Sequence, residues 1–422
     1  MSCSKEGIPR RQLLTSFLFL TGKKITEQIL PWRIPDQPSF VSVQEIMQRY
    51  PQINRFITAV NLSLLPQTVE GGLILHNNEN ESFFIAIPYR KSEKNFFRET
   101  IYQNLQKQVQ TYQKPTFLIL ELPCPTDVDF DSQCQQWKTK ISERAKFFQS
   151  ETTNFIIGNE INAQNTLWAD KLDLYLDLYL QSYEIIKKFN PKMRVFPWQE
   201  AYFQHGELLE TFLQKLRQQN GTIDGLPINF YDVCSKMEAR ILEYHCLLEK
   251  NSFLETPIVI SELSKPENYQ PSEREKASFV IQHLVTAAYW QQKGLIERAA
   301  WFAAWAPQGY KQDCALSTSL KDNRFVAYPS LNAFLLSSHL LNGEINLKKD
   351  SSGLVMAEIS QKGSPKTSFF WNEGSQSIIL KNTSQNCQLL TPTGGIIPRN
   401  CPLTLEPAKN PVHGAGDSAI LV

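Results

Sequence analysis

From about residue 82 onward, short apolar runs alternate with longer amphipathic ones, and this limits the possible folds more than any other feature. Phe83-Phe84-Ile85-Ala86-Ile87-Pro88, Thr116-Phe117-Leu118-Ile119-Leu120-Glu121-Leu122 and Asn154-Phe155-Ile156-Ile157-Gly158 are continuous apolar runs bounded by turn residues. Runs of that kind are strands covered on both faces. Similar strands are expected over 193–198, 225–232, 257–262 and 298–305. Helices are expected between them, over 93–113, 131–149, 172–190, 206–219, 235–250 and 272–293. In the third of these Leu172, Tyr175, Leu176, Tyr179, Leu180 and Tyr183 fall on one stripe at helical spacing, and Asn190-Pro191 stops it. Repeated strand–helix alternation gives a parallel sheet.

Seven such strands follow residue 82, and an eighth is placed at 56–64, although 65–81 shows no obvious helix. The expected fold is therefore α/β, a (β/α)8 TIM barrel over 31–341. A doubly wound open sheet is the alternative, but it wants a glycine-rich turn after its first strand, and none is present. A closing helix over 329–341 ends at Asn342-Gly343. Beyond it short strand-like runs at 354–359, 367–371 and 377–380 are separated by Gly, Asn, Ser and Pro. That pattern predicts a small antiparallel, β-sandwich-like domain over 342–422. With 422 residues the chain is long enough for a large domain and a smaller one.

Arg10-Arg11-Gln12-Leu13-Leu14, followed by Thr15-Ser16-Phe17-Leu18-Phe19-Leu20, resembles a twin-arginine export signal. Residues 1–30 are then an export segment and the protein periplasmic or extracellular. Against this, the apolar run is short, Lys23-Lys24 follow at once, and no small-x-small cleavage site is obvious. The other reading is the amphipathic start of a cytoplasmic protein. No other segment approaches the roughly 18 apolar residues of a membrane span.

Formal net charge is +1 and no run is rich in Lys and Arg, so no basic field is present to hold nucleic acid. None of the 8 Cys forms a C-x-x-C pair, and the 6 His are scattered. Neither a metal site nor a cofactor is implied. The even Cys count permits disulfides without requiring them; Cys124/Cys134 and Cys387/Cys401 could each close a short loop.

In a barrel of this type the chemistry sits at the C-terminal ends of the strands. Glu160 lies two residues beyond Gly158, at the end of the fourth strand, and Glu262 ends the seventh. A bare Asn-Glu is expected about once by chance in a chain this long, so placement carries the argument. Roughly 31 residues per strand–helix unit put strands four and seven about 95 apart; the glutamates are 102 apart. Two carboxyls facing one barrel mouth about 5 Å apart suit a covalent, retaining glycosidase mechanism.

Ile156-Ile157-Gly158-Asn159-Glu160 resembles the strand-four motif of clan A glycoside hydrolases, and Ile258-Val259-Ile260-Ser261-Glu262 their strand-seven motif. Tyr183-Glu184-Ile185-Ile186-Lys187-Lys188-Phe189-Asn190-Pro191, Ala300-Trp301-Phe302-Ala303-Ala304-Trp305 and Tyr328-Pro329-Ser330-Leu331-Asn332-Ala333 are similar to the following helix, the eighth strand and the closing helix. The likeness is nearest to family 39 and bacterial exopolysaccharide hydrolases, and covers roughly residues 115–340.

The resemblance implies a carbohydrate substrate, Glu160 as acid/base, Glu262 as nucleophile, and Asn159 on the sugar 2-hydroxyl. Tyr231 would orient Glu262. Trp301 or Trp305 would floor the sugar site, with Trp301 preferred. Trp198 and Trp168 are either outer stacking platforms or plain packing, Asn165 is a weaker loop candidate, and Arg90 reads as a surface ion pair in preference to a contact with sugar or Glu262. The family often carries His two residues before the aromatic of strand six, where this chain has Asn229. That departure bears on substrate and on how Glu262 is held. A transglycosidase or a catalytically inactive carbohydrate-binding barrel are the competing readings.

Overall fold

A computed structural model of the chain describes residues 115–125, 127–163, 168–201, 206–266, 269–302, 314–319, 325–341, 343–360, 366–381, 387–393, 401–409 and 415–422. It also describes 40–41, 59–61, 83–87, 306–307, 396–397 and the single helical residues 103, 106 and 110. Residues 1–30, Arg90, Asn165, Trp305 and most of the expected helix 93–113 lie outside these.

β1 (Phe40–Val41) belongs to a small peripheral sheet. The main sheet consists of β2 (Ala59–Asn61), β3 (Phe83–Ile87), β4 (Thr116–Leu120), β5 (Thr153–Ile157), β6 (Arg194–Phe196), β7 (Leu226–Tyr231), β8 (Ile258–Ser264) and β9 (Arg298–Trp301). Every pairing within it is parallel, in the order β6-β5-β4-β3-β2-β9-β8-β7. An isolated parallel bridge joins Glu200, beyond the end of β6, to Ile228 of β7. There the Glu200 N–H donates to the Pro227 carbonyl at 2.9 Å and the Asn229 N–H to the Glu200 carbonyl at 2.9 Å.

Strand alternation sorts the side chains into two layers. Phe117, Ile119, Ile156, Phe196, Val259 and Ala300 pack on one another over the inner face. Leu118, Leu120, Phe155, Ile157, Val195, Ile258, Ile260 and Ala299 face the helices. Those helices are α1 (Phe130–Gln135), α2 (Trp137–Phe147), α3 (Leu172–Phe189), α4 (Glu207–Gln218), α5 (Met237–Lys250), α6 (Glu273–Gln292) and, further on, α7 (Pro329–Leu340). The single helix expected over 131–149 is two, meeting at Gln136.

The tyrosine stripe of α3 does more than fill space. Tyr175 donates to the Ile157 carbonyl at 2.9 Å and accepts from the Trp198 N–H at 3.1 Å, so one hydroxyl fixes the ends of β5 and β6. Tyr179 donates to the Thr222 carbonyl and Tyr183 to Asp224. Each ring buries apolar area while its hydroxyl satisfies a strand-end polar group.

β1 joins β12 (Phe325–Ala327), β11 (Ser317–Ser319) and β10 (Ala306–Pro307) in a sheet that the sequence reading did not anticipate. Past α7, β13 (Glu344–Lys349), β14 (Leu354–Ser360), β15 (Thr367–Asn372), β17 (Leu389–Leu390), β18 (Ile396–Ile397) and β20 (Ser418–Leu421) form an antiparallel sheet. β16 (Ile378–Lys381) pairs separately with β19 (Pro402–Leu405).

α6 is buried continuously from Lys276 to Ala288. A helix buried on every side has neighbours all round, and α6 packs against β8, β9, α7 and the C-terminal sheet. Its N-terminus is closed by a capping box between Ser272 and Glu275. Gln282 ties it to the sheet by donating to the Gly416 carbonyl at 2.7 Å and to Ser418 Oγ at 3.1 Å. Cys134 is a thiol, so no disulfide closes the Cys124–Cys134 loop. No helix among the described residues is long and apolar enough to cross a membrane.

Candidate active site

β5 ends in two backbone conformations that L-residues rarely adopt. Gly158 has φ +103° and Glu160 has φ +44°. The positive φ favours glycine at 158, where a Cβ would also sit a tight 3.1 Å from both Ile161 Cγ2 and Leu122 Cδ1. A left-handed glutamate costs about 1–2 kcal/mol, and such strain clusters at functional sites. Backbone bonds hold it: the Glu160 N–H donates to the Gln199 carbonyl at 3.0 Å, and the Glu160 carbonyl accepts from Ala163 at 2.9 Å. The β5–β6 register continues through a parallel Asn159–Gln199 bridge, which leaves Asn159 exposed and Glu160 half-buried.

Glu262 reaches the inner face by a different device. Ile260 and Leu263 both face the helices, with two residues between them instead of one. The pairing of β8 with β7 and with β9 slips at this point, Ile228 opposing Ile260 while Asn229 opposes Glu262. A β-bulge inserts one residue and re-aims its neighbour. Here Ser261 is the extra residue, and its insertion turns Glu262 inward beside Ser261 rather than out toward α6. Glu262 is buried at 7% exposure.

Asn229 and Tyr231 alternate inward from β7. The Tyr231 hydroxyl donates to Glu262 Oε2. Burial, and then the Glu262 charge, push the Tyr231 hydroxyl well above its usual range, so it stays a proton donor. Phe302 lies against Tyr231 edge to face at 6.2 Å. Asn229 Nδ2 donates to Glu160 Oε1 at 2.8 Å. Asn229 Oδ1 accepts from Ser261 Oγ at 3.0 Å and faces Gln199 Nε2 at 3.4 Å. Gln199 Nε2 also lies 3.4 Å from Glu262 Oε1. Glu160, Asn229, Gln199, Glu262 and Tyr231 are thus one connected polar chain over the ends of four strands.

No protein-family profile and no curated protein matches the sequence. Solved structures do match in three dimensions. A glucosidase from Croceicoccus marinus aligns with TM-score 0.58 and 10% identity, over 87% of this chain and 95% of its own. A family 39 glycoside hydrolase from Bacteroides cellulosilyticus aligns with TM-score 0.56 and 15% identity, over 81% of this chain and 75% of its own. The protein N2152 from Neocallimastix frontalis aligns with TM-score 0.53 and 12% identity, over 87% and 95%. The chain has a family 39-like, clan A glycoside hydrolase fold.

Within this family 39-like frame Trp301 as the sugar floor needs correction, and Trp198 and Trp168 take the packing reading rather than the platform one. Trp301 is fully buried and faces α6, not the inner face, because Ala300 takes the inward position of β9. Its indole N–H donates to the Cys314 carbonyl at 3.1 Å and its ring meets His283 at 6.1 Å. Trp198 is also fully buried, edge-on to Tyr175 at 5.0 Å and Phe212 at 5.1 Å, so it packs the helix layer and offers no platform. Trp168 is buried against Phe130, and its N–H donates to the Pro123 carbonyl. Trp305, Asn165 and Arg90 lie outside the described residues.

Gln199, Ser261 and Glu200 were not singled out from sequence as site residues. Their one signal is position, since Gln199-Glu200 follows the fifth apolar run as Asn159-Glu160 follows the fourth. Glu200 is 1% exposed behind the site and accepts from the Trp198 indole N–H at 2.7 Å. Burial pushes its carboxyl up to about 8, against smaller lowering by Trp198 and Arg240.

In the unfolded chain the Glu200 carboxyl ionises near 4.5. Between that value and about 8 the native state therefore holds the extra proton. Its stabilising contribution is complete below the lower value and is lost as pH rises toward the upper one. The slope reaches about 1.4 kcal/mol per pH unit. Calorimetry of Glu200→Gln across pH 5–9 is expected to show a Tm that falls less with rising pH than the wild type; parallel curves would contradict this.

Proposed function

We propose that this chain is a retaining glycoside hydrolase on a closed (β/α)8 barrel, cleaving O-glycosidic bonds of an oligo- or polysaccharide by double displacement. The connection of Glu160 and Glu262, from different strand ends, through Asn229 and Gln199 carries the reading. The bridge between Glu200 and Ile228 supports closure of the sheet. Two structural neighbours are described as a glucosidase and a family 39 glycoside hydrolase, which favours a carbohydrate substrate.

In this mechanism Glu160 gives its proton to the leaving oxygen as Glu262 attacks the anomeric carbon, forming a glycosyl ester. Glu160, now a carboxylate, takes a proton from water. The water oxygen then displaces Glu262 and the first configuration is restored. Asn159, exposed beside Glu160, takes the sugar 2-hydroxyl as its hydrogen-bond partner in this reading, which its exposure supports. Tyr231 keeps Glu262 oriented and ionised by donating to Oε2. Tyr231→Phe is expected to lower kcat on the order of 10²-fold with little change in Tm, read by steady-state kinetics; an unchanged kcat removes Tyr231 from the mechanism.

A panel of aryl glycosides and microbial exopolysaccharides tests the reading, with Glu160→Ala/Glu262→Gln as the blank. Release of a sugar by the wild type and not by the blank supports it. Equal release by both refutes it.

The barrel is assigned to 31–341, the antiparallel β domain to 342–422, and 1–30 to a twin-arginine export segment. Cell fractionation is expected to find the wild type in the periplasm or medium and Arg10→Lys/Arg11→Lys retained inside. An unchanged distribution would refute export by that route.

A further inference from the structure

The hydrogen bonds between the two glutamates give the amide groups of Asn229 and Gln199 one consistent arrangement. Asn229 faces Glu160 Oε1 at 2.8 Å. Glu160 Oε1 accepts from the Asn229 NH2 group both in the carboxylate and in the acid that carries its proton on Oε2, and Asn229 Oδ1 is then turned toward Ser261 and Gln199. The Ser261 hydroxyl has one proton and two acceptors within reach, the Ile228 carbonyl at 3.2 Å and Asn229 Oδ1 at 3.0 Å. Gln199 then stands between two acceptors, Asn229 Oδ1 and Glu262 Oε1, each 3.4 Å from Nε2. Its two amide hydrogens match those two acceptors. Its own Oε1 is consequently left on the other side, buried and without a hydrogen-bond partner among the described residues, while Gln199 as a whole is fully buried. A buried acceptor left unpaired is a cost, and here the two facing acceptors impose it.

We propose that Gln199 is a positioning residue that holds Glu262 as a carboxylate and ties it, through Asn229, to Glu160. The kinetic part of this rests on the glycosidase reading; the positioning part does not. Gln199 is fully buried, so it acts on Glu262 and not on the sugar. Donors favour the charged form of a carboxylate, and a like charge disfavours it. Gln199→Met keeps the length and removes the donors. Gln199→Glu keeps the shape and sets a carboxyl against two acceptors.

The test uses the full chain labelled with 13C-carboxyl glutamate. The Glu262 resonance is assigned by its loss in Glu262→Gln and titrated in wild type, Gln199→Met and Gln199→Glu. The Glu262 midpoint is expected to rise in both variants, by about one pH unit or more in Gln199→Glu. The acid limb of kcat/KM on an aryl glycoside should rise with it while KM stays unchanged. A midpoint that stays at the wild-type value in either folded variant overturns the proposal. A midpoint that moves in a protein that cleaves no glycoside upholds Gln199 and refutes the glycosidase reading, so the two failures are separate. Should Gln199→Glu fail to fold, the volume-matched Gln199→Met decides alone.

Discussion

Glu262→Gln is expected to abolish turnover, by on the order of 10⁴-fold or more in kcat. The change is nearly isosteric. The carboxamide oxygen still accepts from Tyr231, and the Ser261 bulge that turns residue 262 inward is untouched. The side chain nevertheless loses the anionic oxygen that attacks the anomeric carbon, and an amide is too weak a nucleophile to replace it. Tm should stay close to the wild-type value, which separates a chemical loss from a folding one. A folded variant that keeps a tenth of wild-type kcat on any substrate would remove Glu262 from the role of nucleophile.

The second large effect is expected at Glu160, and it depends on the substrate. Loss of a general acid costs about 10²–10⁴-fold, but only where the leaving oxygen needs a proton. Glu160→Ala should therefore lose hydrolysis of natural glycosides and keep the first step on aryl glycosides with acidic phenols. The second step then stalls for want of a base. Azide, a nucleophile that needs none, should restore turnover and give a glycosyl azide of retained configuration. Alanine also leaves the left-handed backbone at position 160 less well served, so Glu160→Gln serves as the conformational control. A folded Glu160→Ala that hydrolyses unactivated glycosides at the wild-type rate contradicts the assignment.

The sequence made the strand ends readable and left the facing of several side chains unreadable. The apolar runs locate β3 to β9, and their spacing puts residues 160 and 262 at strand ends three units apart. This works because strands covered on both faces leave an unbroken apolar signal. That same continuity hides which residues point inward. In the run Ala299-Ala300-Trp301 nothing in composition reveals that Ala300 takes the inner face, and so Trp301 reads as a sugar floor when it packs against His283. For the same reason the sequence leaves Trp198 open between platform and packing, and the structure packs it. Glu262 faces inward because of a bulge, and a bulge is a property of paired strands that a single strand does not display. Gln199 was missed because its meaning lies in contacts 30 and 63 residues away in sequence. The sheet containing β1, β10, β11 and β12 joins segments nearly 300 residues apart, and no local pattern announces it.

The most direct test of the carboxylate pair is the configuration of the first-formed sugar, followed by proton NMR as the wild-type enzyme hydrolyses a glycoside of known anomeric configuration. Double displacement through Glu262 predicts that the first product carries the same anomeric configuration as the substrate, with mutarotation appearing only later. A first product of inverted configuration would mean that water attacks the anomeric carbon directly, with Glu262 its base, and would contradict the covalent role given to Glu262.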